Sequence, residues 1–169
     1  MKNNDVVMGI VEIIEMYENY LMYVKKVLEY RCKTRKPLFP EYISEHIIRY
    51  LLNKYDYGEY VRLTKGPGDI INLQNEYIIE CKCFSSMSPI TFGKQKWHQL
   101  MILDMIDGEN MTLYRIDMNS DFFYWKLNGN RKRKRNRIIW ENLYPIVKRY
   151  TEIVYQGSIY DLIDVNESQ

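Results

Sequence analysis

The sequence predicts an α/β domain in which helices flank a β-sheet, with one long helix at the N-terminus. Three observations lead there. Val7, Ile10, Ile14, Tyr17, Leu21, Val24 and Leu28 alternate three and four apart, the spacing of one helix face. Two short β-branched runs, 69–73 and 76–82, are split by polar Gln74-Asn75 and preceded by Gly66-Pro67-Gly68, a hairpin pattern behind a chain breaker. Two more apolar runs, 100–106 and 111–116, flank Asp107-Gly108-Glu109-Asn110 and read as a second strand pair joined by a turn.

The first helix is expected over 5–31, roughly 40 Å long at the α-helical rise. Val6, Ile13, Tyr20 and Val27 widen its stripe, Asn4 and Asp5 supply N-terminal caps, and Lys25, Lys26 and Arg31 suit the C-terminal end. Such a stripe serves either the domain's own core or a dimer contact with coiled-coil character. Residues 32–40 form a basic, Pro-bounded linker. A second helix is expected over 41–54, with Ile43, Ile47, Ile48 and Leu51 inward and Glu41 or Ser44 at its start. Glu45 lies on it, four residues before Arg49, as either an acid facing the site or half of a helical ion pair. Residues 60–64 suit a strand leading into the glycine turn.

The hairpin's register follows from arithmetic. If Gln74 and Asn75 form the turn, each cross-strand pair sums to 149, and Asp69 faces Glu80. A four-residue loop on the same centre keeps this pairing; a three-residue loop does not. Opposed residues have Cβ atoms about 5 Å apart. Lys82 is two residues beyond Glu80 and so on the same face, while Ile70, Tyr77, Ile79 and Cys81 fill the opposite one. Two opposed carboxylates repel. A divalent metal relieves that repulsion, and Mg²⁺ is usually held by one or two carboxylates with waters and a substrate phosphate. The alternative is a solvated face with a salt bridge to Lys82.

Gly68-Asp69, ten residues, then Glu80-Cys81-Lys82 resembles the PD-(D/E)xK nuclease superfamily, in particular its type II restriction endonucleases, with Pro67-Gly68-Asp69 near the "PD" element. The resemblance covers about 40–120. It implies a restriction endonuclease-like core with a mixed central sheet flanked by helices. Asp69 and Glu80 would bind Mg²⁺, for which Mn²⁺ substitutes, and Lys82 would assist the attacking water. The carbonyl of Cys81 joins the metal set, and Glu45 matches, by placement, a helical glutamate that helps hold metal in many members. The resemblance also implies double-stranded DNA as substrate, a homodimer, and a cognate DNA methyltransferase in the same system.

Residues 84–98 resemble the segment after the ExK element in such enzymes, where a Ser/Pro-rich loop with Phe-Gly leads into a short helix and then a strand. Ser85, Ser86, Ser88, Thr91, Lys94, Gln95 and Lys96 are of the types that contact phosphates and base edges. His98 reads as a surface or helix-end histidine. Residues 122–127 suggest a strand or extended segment. Asn130, Arg131, Lys132, Arg133, Lys134, Arg135, Asn136 and Arg137 then form the most basic run of the chain, suited to phosphate contacts. Asn130, Arg131, Asn136 and Arg137 could also read bases. Trp140, Leu143, Ile146 and Val147 suggest a helix with Pro145 inside it, 151–163 a strand and short helix, and 164–169 a disordered tail.

The totals bound the reading. A chain of 169 residues with 46% apolar content is expected to form one domain. Within it, 1–40 would be helix and linker, 41–120 the catalytic core, and 121–163 the basic loop and C-terminal elements. Net charge is +2 with six cations in 131–137, so the rest carries −4. The positive charge is local and points to an anionic partner touching one place. Three cysteines and no recognisable leader suit a reducing cytoplasm, and no apolar run approaches a membrane span. Rival readings are a structure-selective nuclease resembling Holliday-junction resolvases, tRNA or repair processing, and a nucleic-acid-binding module without catalysis.

Overall fold

The computed structural model describes residues 8–30, 37–56, 58–130, 132 and 134–163. Chain order is α1 (Ile10–Glu29), α2 (Glu41–Tyr55), β1 (Tyr60–Arg62), β2 (Ile70–Asn72), β3 (Tyr77–Phe84), β4 (Ile90–Thr91), β5 (Gln99–Asp104), β6 (Asn110–Ile116), α3 (Ser120–Asn128), β7 (Arg137–Ile138), α4 (Trp140–Val147) and β8 (Thr151–Ser158). Single 3-10 turns follow α4 and β8. The main sheet runs β1-β2-β3-β5-β6-β8, and β4 and β7 form a separate two-stranded ribbon. Among the described residues β3 and β5 pair in parallel and the other neighbours in the sheet are antiparallel. This is the expected mixed sheet with flanking helices.

Strand alternation divides the interior into two cores. Ile79 and Cys81 of β3, Met101 and Leu103 of β5, and Met111 and Leu113 of β6 face α1 and α2. Phe84, Leu100, Ile102 and Ile116 face α3, α4 and the ribbon. Strand β5 is therefore buried on both sides, which explains its unbroken apolar run. On α2, Ile43, Ile47, Ile48, Leu51 and Leu52 fill the first core. On α3 and α4, Phe123, Leu127, Leu143 and Val147 fill the second. Each such side chain contributes about 1.5–3 kcal/mol by leaving water.

Helix α1 lays Ile10, Ile13, Ile14, Tyr17, Tyr20 and Val24 into the first core. Its stripe thus serves the protein's own interior. Leu28 is exposed, as are Val11, Met22 and Tyr23. Met8 and Gly9 are not helical and Gly9 is the N-cap, so the helix starts later than the spacing predicts. The expected caps Asn4 and Asp5 lie outside the described residues, as do Arg31 and the tail 164–169.

Three further expectations are corrected. Residues 122–127 are helical, within α3, because Asn119 caps Phe122 with its side chain and Phe123 and Leu127, four apart, share the buried face. Residues 93–98 form no helix; Trp97 is anchored in the second core instead, with its carbonyl accepting from Ser120. Tyr77 is exposed and stacks on His98, whose Nδ1 accepts from the Ile78 N–H at 3.0 Å. The ladder is already ending there, so alternation no longer carries a side chain into the core. Helix α4 accommodates Pro145.

Candidate active site

The β2–β3 pairs are Ile70 with Ile79, Ile71 with Ile78, and Asn72 with Tyr77, so each sums to 149 as the arithmetic requires. Residues 73–76 make a four-residue turn, in which Glu76 takes a positive φ of 58°. Strand β2 is shorter than the sequence suggests, and its pairing stops at Ile70. Beyond Ile79, β3 has β5 on one side only. Asp69 lies at the notch where β2 peels away.

The glycine turn shapes that notch. Gly68 has a φ of 73°, the left-handed region that favours glycine. A Cβ there would lie 2.4 Å from Ile78 Cγ2 and 3.0 Å from the Ile79 carbonyl oxygen. This close approach brings the Asp69 N–H to the Ile79 carbonyl at 2.9 Å and the Asp69 Oδ2 to the Cys81 N–H at 2.7 Å. The carboxylate occupies the place of the missing strand. Gly68 itself donates to Gln95 Oε1 at 3.3 Å, which ties the turn to the segment before β5.

Glu80 and Lys82 share one face of β3, and Lys82 Nζ lies 2.8 Å from Glu80 Oε1. Glu41, at the start of α2, is 3.5 Å from the same ammonium. Glu80 is 3% exposed, and its Oε2 is buried without a hydrogen-bond partner. A buried carboxylate oxygen left unpaired is costly. Burial pushes the Asp69 carboxyl above its usual range; the Cys81 N–H opposes that, and the Glu80 charge adds to it. Burial alone would lower the Lys82 pKa, but Glu80, Asp69 and Glu41 together raise it, so this lysine stays protonated.

The Cys81 side chain is buried in the first core, where burial and the nearby acids hold its thiol protonated. Only its backbone could serve a metal. Glu45 is buried, and its Oε2 accepts from Arg62 Nε at 2.5 Å, so the helical pair with Arg49 is not formed; the Arg49 Nη2 donates to the Met8 carbonyl. Burial raises the Glu45 carboxyl, the Arg62 hydrogen bond lowers it, and the Asp69 charge raises it further. Among the described residues no three His, Cys, Asp or Glu side chains gather as a metal-holding group. The acidic pair with one orphaned oxygen still fits a hard cation that takes its remaining ligands from water and phosphate.

Lys82 also lines a cleft of about 230 Å³ with Glu41, Ser44, Ser86, Ser88 and Thr91. Ser85 is 3% exposed, and its Oγ accepts from the Phe39 N–H at 3.1 Å, which ties the segment before α2 to the end of β3. Ser86 and Ser88 bond each other at 2.9 Å. Lys96 pairs with Asp121, while Lys94 is exposed. In the basic run Asn130, Lys132, Lys134, Asn136 and Arg137 are exposed and Arg135 is half-buried; Arg131 and Arg133 lie outside the described residues. Sequence reasoning missed Tyr124 on α3, which donates to the Gly93 carbonyl and feels the charges of Glu80 and Lys82. A lone tyrosine in an apolar helix carries no signal of that role.

The mixed sheet with its flanking helices and its Asp-Glu-Lys notch defines a restriction endonuclease-like α/β protein. A family model described as Bsp6I restriction endonuclease matches residues 8–137, most of the chain, and the chain belongs to that family. Membership marks it as an endonuclease of a restriction system, with DNA as substrate. No curated protein and no solved structure matches the chain. No described helix is long and apolar enough to cross a membrane.

Proposed function

We propose that the chain is a Mg²⁺-dependent, sequence-specific type II restriction endonuclease of the PD-(D/E)xK type, acting on double-stranded DNA as a homodimer in the cytoplasm. The observation that carries this is the orphaned Glu80 Oε2 beside the Lys82 ammonium, next to a notch that holds Asp69. Asp69, Glu80 and the Cys81 carbonyl would hold the metal, and Glu45, shared with Arg62, would border the set. Mg²⁺ held there would supply a Lewis acid for the phosphodiester and lower the pKa of a water. Lys82, protonated and fixed by Glu80 and Glu41, orients that water and steadies charge growing on phosphate.

Ser86, Ser88, Thr91, Lys94, Gln95, Lys96 and the exposed cations of 130–137 contact the duplex. A DNA methyltransferase of the same system protects host sites. Incubation of the protein with phage DNA and Mg²⁺, followed by sequencing of the ends, tests the reading. Discrete bands with one shared end sequence are expected. Intact DNA, a smear, or cutting confined to four-way junctions overturns it.

A further inference from the structure

The two segments singled out as DNA contacts, 84–98 and 130–137, meet at one strand pair. Ile90 pairs with Ile138 and Thr91 with Arg137 in the antiparallel β4–β7 ribbon. Alternation sends Ile90, Phe92 and Ile138 into the second core and leaves Thr91 and Arg137 exposed, directly opposite each other. Asn136 clamps the ribbon's end: its carbonyl accepts from the Phe92 N–H at 2.8 Å and its Nδ2 donates to the Phe92 carbonyl at 3.3 Å. The Arg135 N–H donates to Asn128 Oδ1 at 2.6 Å, anchoring the returning loop to α3. The ribbon is therefore held in shape before any ligand arrives.

Charge distinguishes its outer face. Arg62 and Arg115 are neutralised by Glu45, Asp56 and Glu152. Among the described residues no carboxylate pairs with Arg137, and Lys132 and Lys134, which precede it in the chain, are exposed. Thr91 also lines the cleft that contains Lys82, so this face adjoins the reacting group. The major groove of B-DNA admits a two-stranded ribbon, and an arginine fork bonds the O6 and N7 of guanine.

We propose that the β4–β7 ribbon enters the major groove beside the cut and that Arg137, with Thr91 across from it, reads a guanine there. Asn136 is a positioning residue for the ribbon, and Lys132 and Lys134 grip phosphates. This rests on the nuclease reading above and names the part of the chain that gives it sequence preference.

The test measures base preference in two ways: from sequenced ends of a randomised duplex library cut with Mg²⁺, and from duplexes retained on the protein in EDTA. Arg137→Ala should lose roughly 10- to 100-fold discrimination at one guanine while keeping preference elsewhere in the site. Arg137→Lys, which keeps charge and guards against misfolding as the cause, should lose the same discrimination. Lys134→Ala should weaken all sequences alike and reduce the salt dependence of binding. Replacing the guanine by 7-deazaguanine should impair the unaltered protein and leave Arg137→Ala unaffected. Unchanged preference in both Arg137 variants, or no preference in the unaltered protein by either readout, overturns the inference. Retained preference in EDTA with no cutting supports it and overturns the nuclease reading alone.

Discussion

Arg62 Nε donates to Glu45 Oε2 at 2.5 Å, across from β1 to α2, and Arg62 also packs over the Tyr42 ring. The acid that the chain's spacing places near Arg49 is thus held by a strand residue 17 positions away in sequence. Burial raises the Glu45 carboxyl and the Asp69 charge adds to that, yet this carboxylate is occupied by Arg62. Glu45→Gln is expected to slow cleavage by about tenfold or less and to change stability by less than about 1 kcal/mol, because the amide oxygen still accepts from Arg62 and burial already disfavours the charged carboxyl. Single-turnover rates and denaturant melts separate the two effects. A rate loss as deep as that of Asp69→Asn, with stability unchanged, would show Glu45 to be a full metal ligand.

Asp69→Asn keeps an oxygen to accept from the Cys81 N–H and removes the charge. Cleavage should be abolished while DNA binding without metal persists. Retention of most of the activity would sink the assignment of Asp69 as metal ligand. Gel shifts in EDTA and cleavage in Mg²⁺ give the two readouts.

The same substitution bears on stability. Asp69 and Glu45 have raised carboxyl pKa values in the folded state. Folding therefore favours their protonated forms, and the metal-free protein gains stability as pH falls from neutral through their folded pKa values toward the ordinary carboxylate range. At neutral pH, Asp69→Asn should raise the melting temperature of the metal-free protein by roughly 2–4 °C, corresponding to about 1 kcal/mol from no longer burying a charge beside Glu80 in a chain of this size. The gap should narrow as pH falls. Mg²⁺ should stabilise the unaltered protein and not the variant. Calorimetry at two pH values, with and without metal, checks the signs.

Lys82→Ala should lower the single-turnover rate by about 10²-fold or more, the scale of losing one positioned electrostatic or proton-handling group. It should leave DNA affinity within a few-fold. A loss confined to affinity, with the rate intact, counts against the role given to Lys82.

A duplex has two antiparallel strands, and one site per chain cuts one strand at a time, so a two-fold dimer is expected on DNA. Ile14 is buried in the first core, so a charge there tests folding and not assembly. The outward face offers Met22, Tyr23 and Leu28 instead. Met22→Asp with Leu28→Asp should leave a folded monomer that nicks poorly or not at all. Light scattering of the unaltered protein, alone and with DNA at micromolar concentration, decides. A monomer in both states means the helix serves only its own core.

What the sequence by itself determined is local. Period-two alternation and the position of Gln74-Asn75 set the hairpin register, so Glu80 and Lys82 meet on one face and Asp69 reaches the same end of β3. Period-3.6 spacing marked the buried faces of α1 and α2. Short-range geometry suffices there, since each partner is a few residues away. The tertiary structure alone decided what depends on distant partners. The helical state of 122–127 was decided by Phe123 and Leu127 reaching the second core, since the local Asn119 cap by itself does not separate helix from turn. Ser85 is bonded by Phe39 from 46 positions away, and Glu45 is bonded by Arg62. The ribbon that joins Thr91 to Arg137 spans a whole strand pair and helix of intervening chain. No spacing rule foresees such a pairing, because two-residue strands carry no periodicity and are held by the core beneath them.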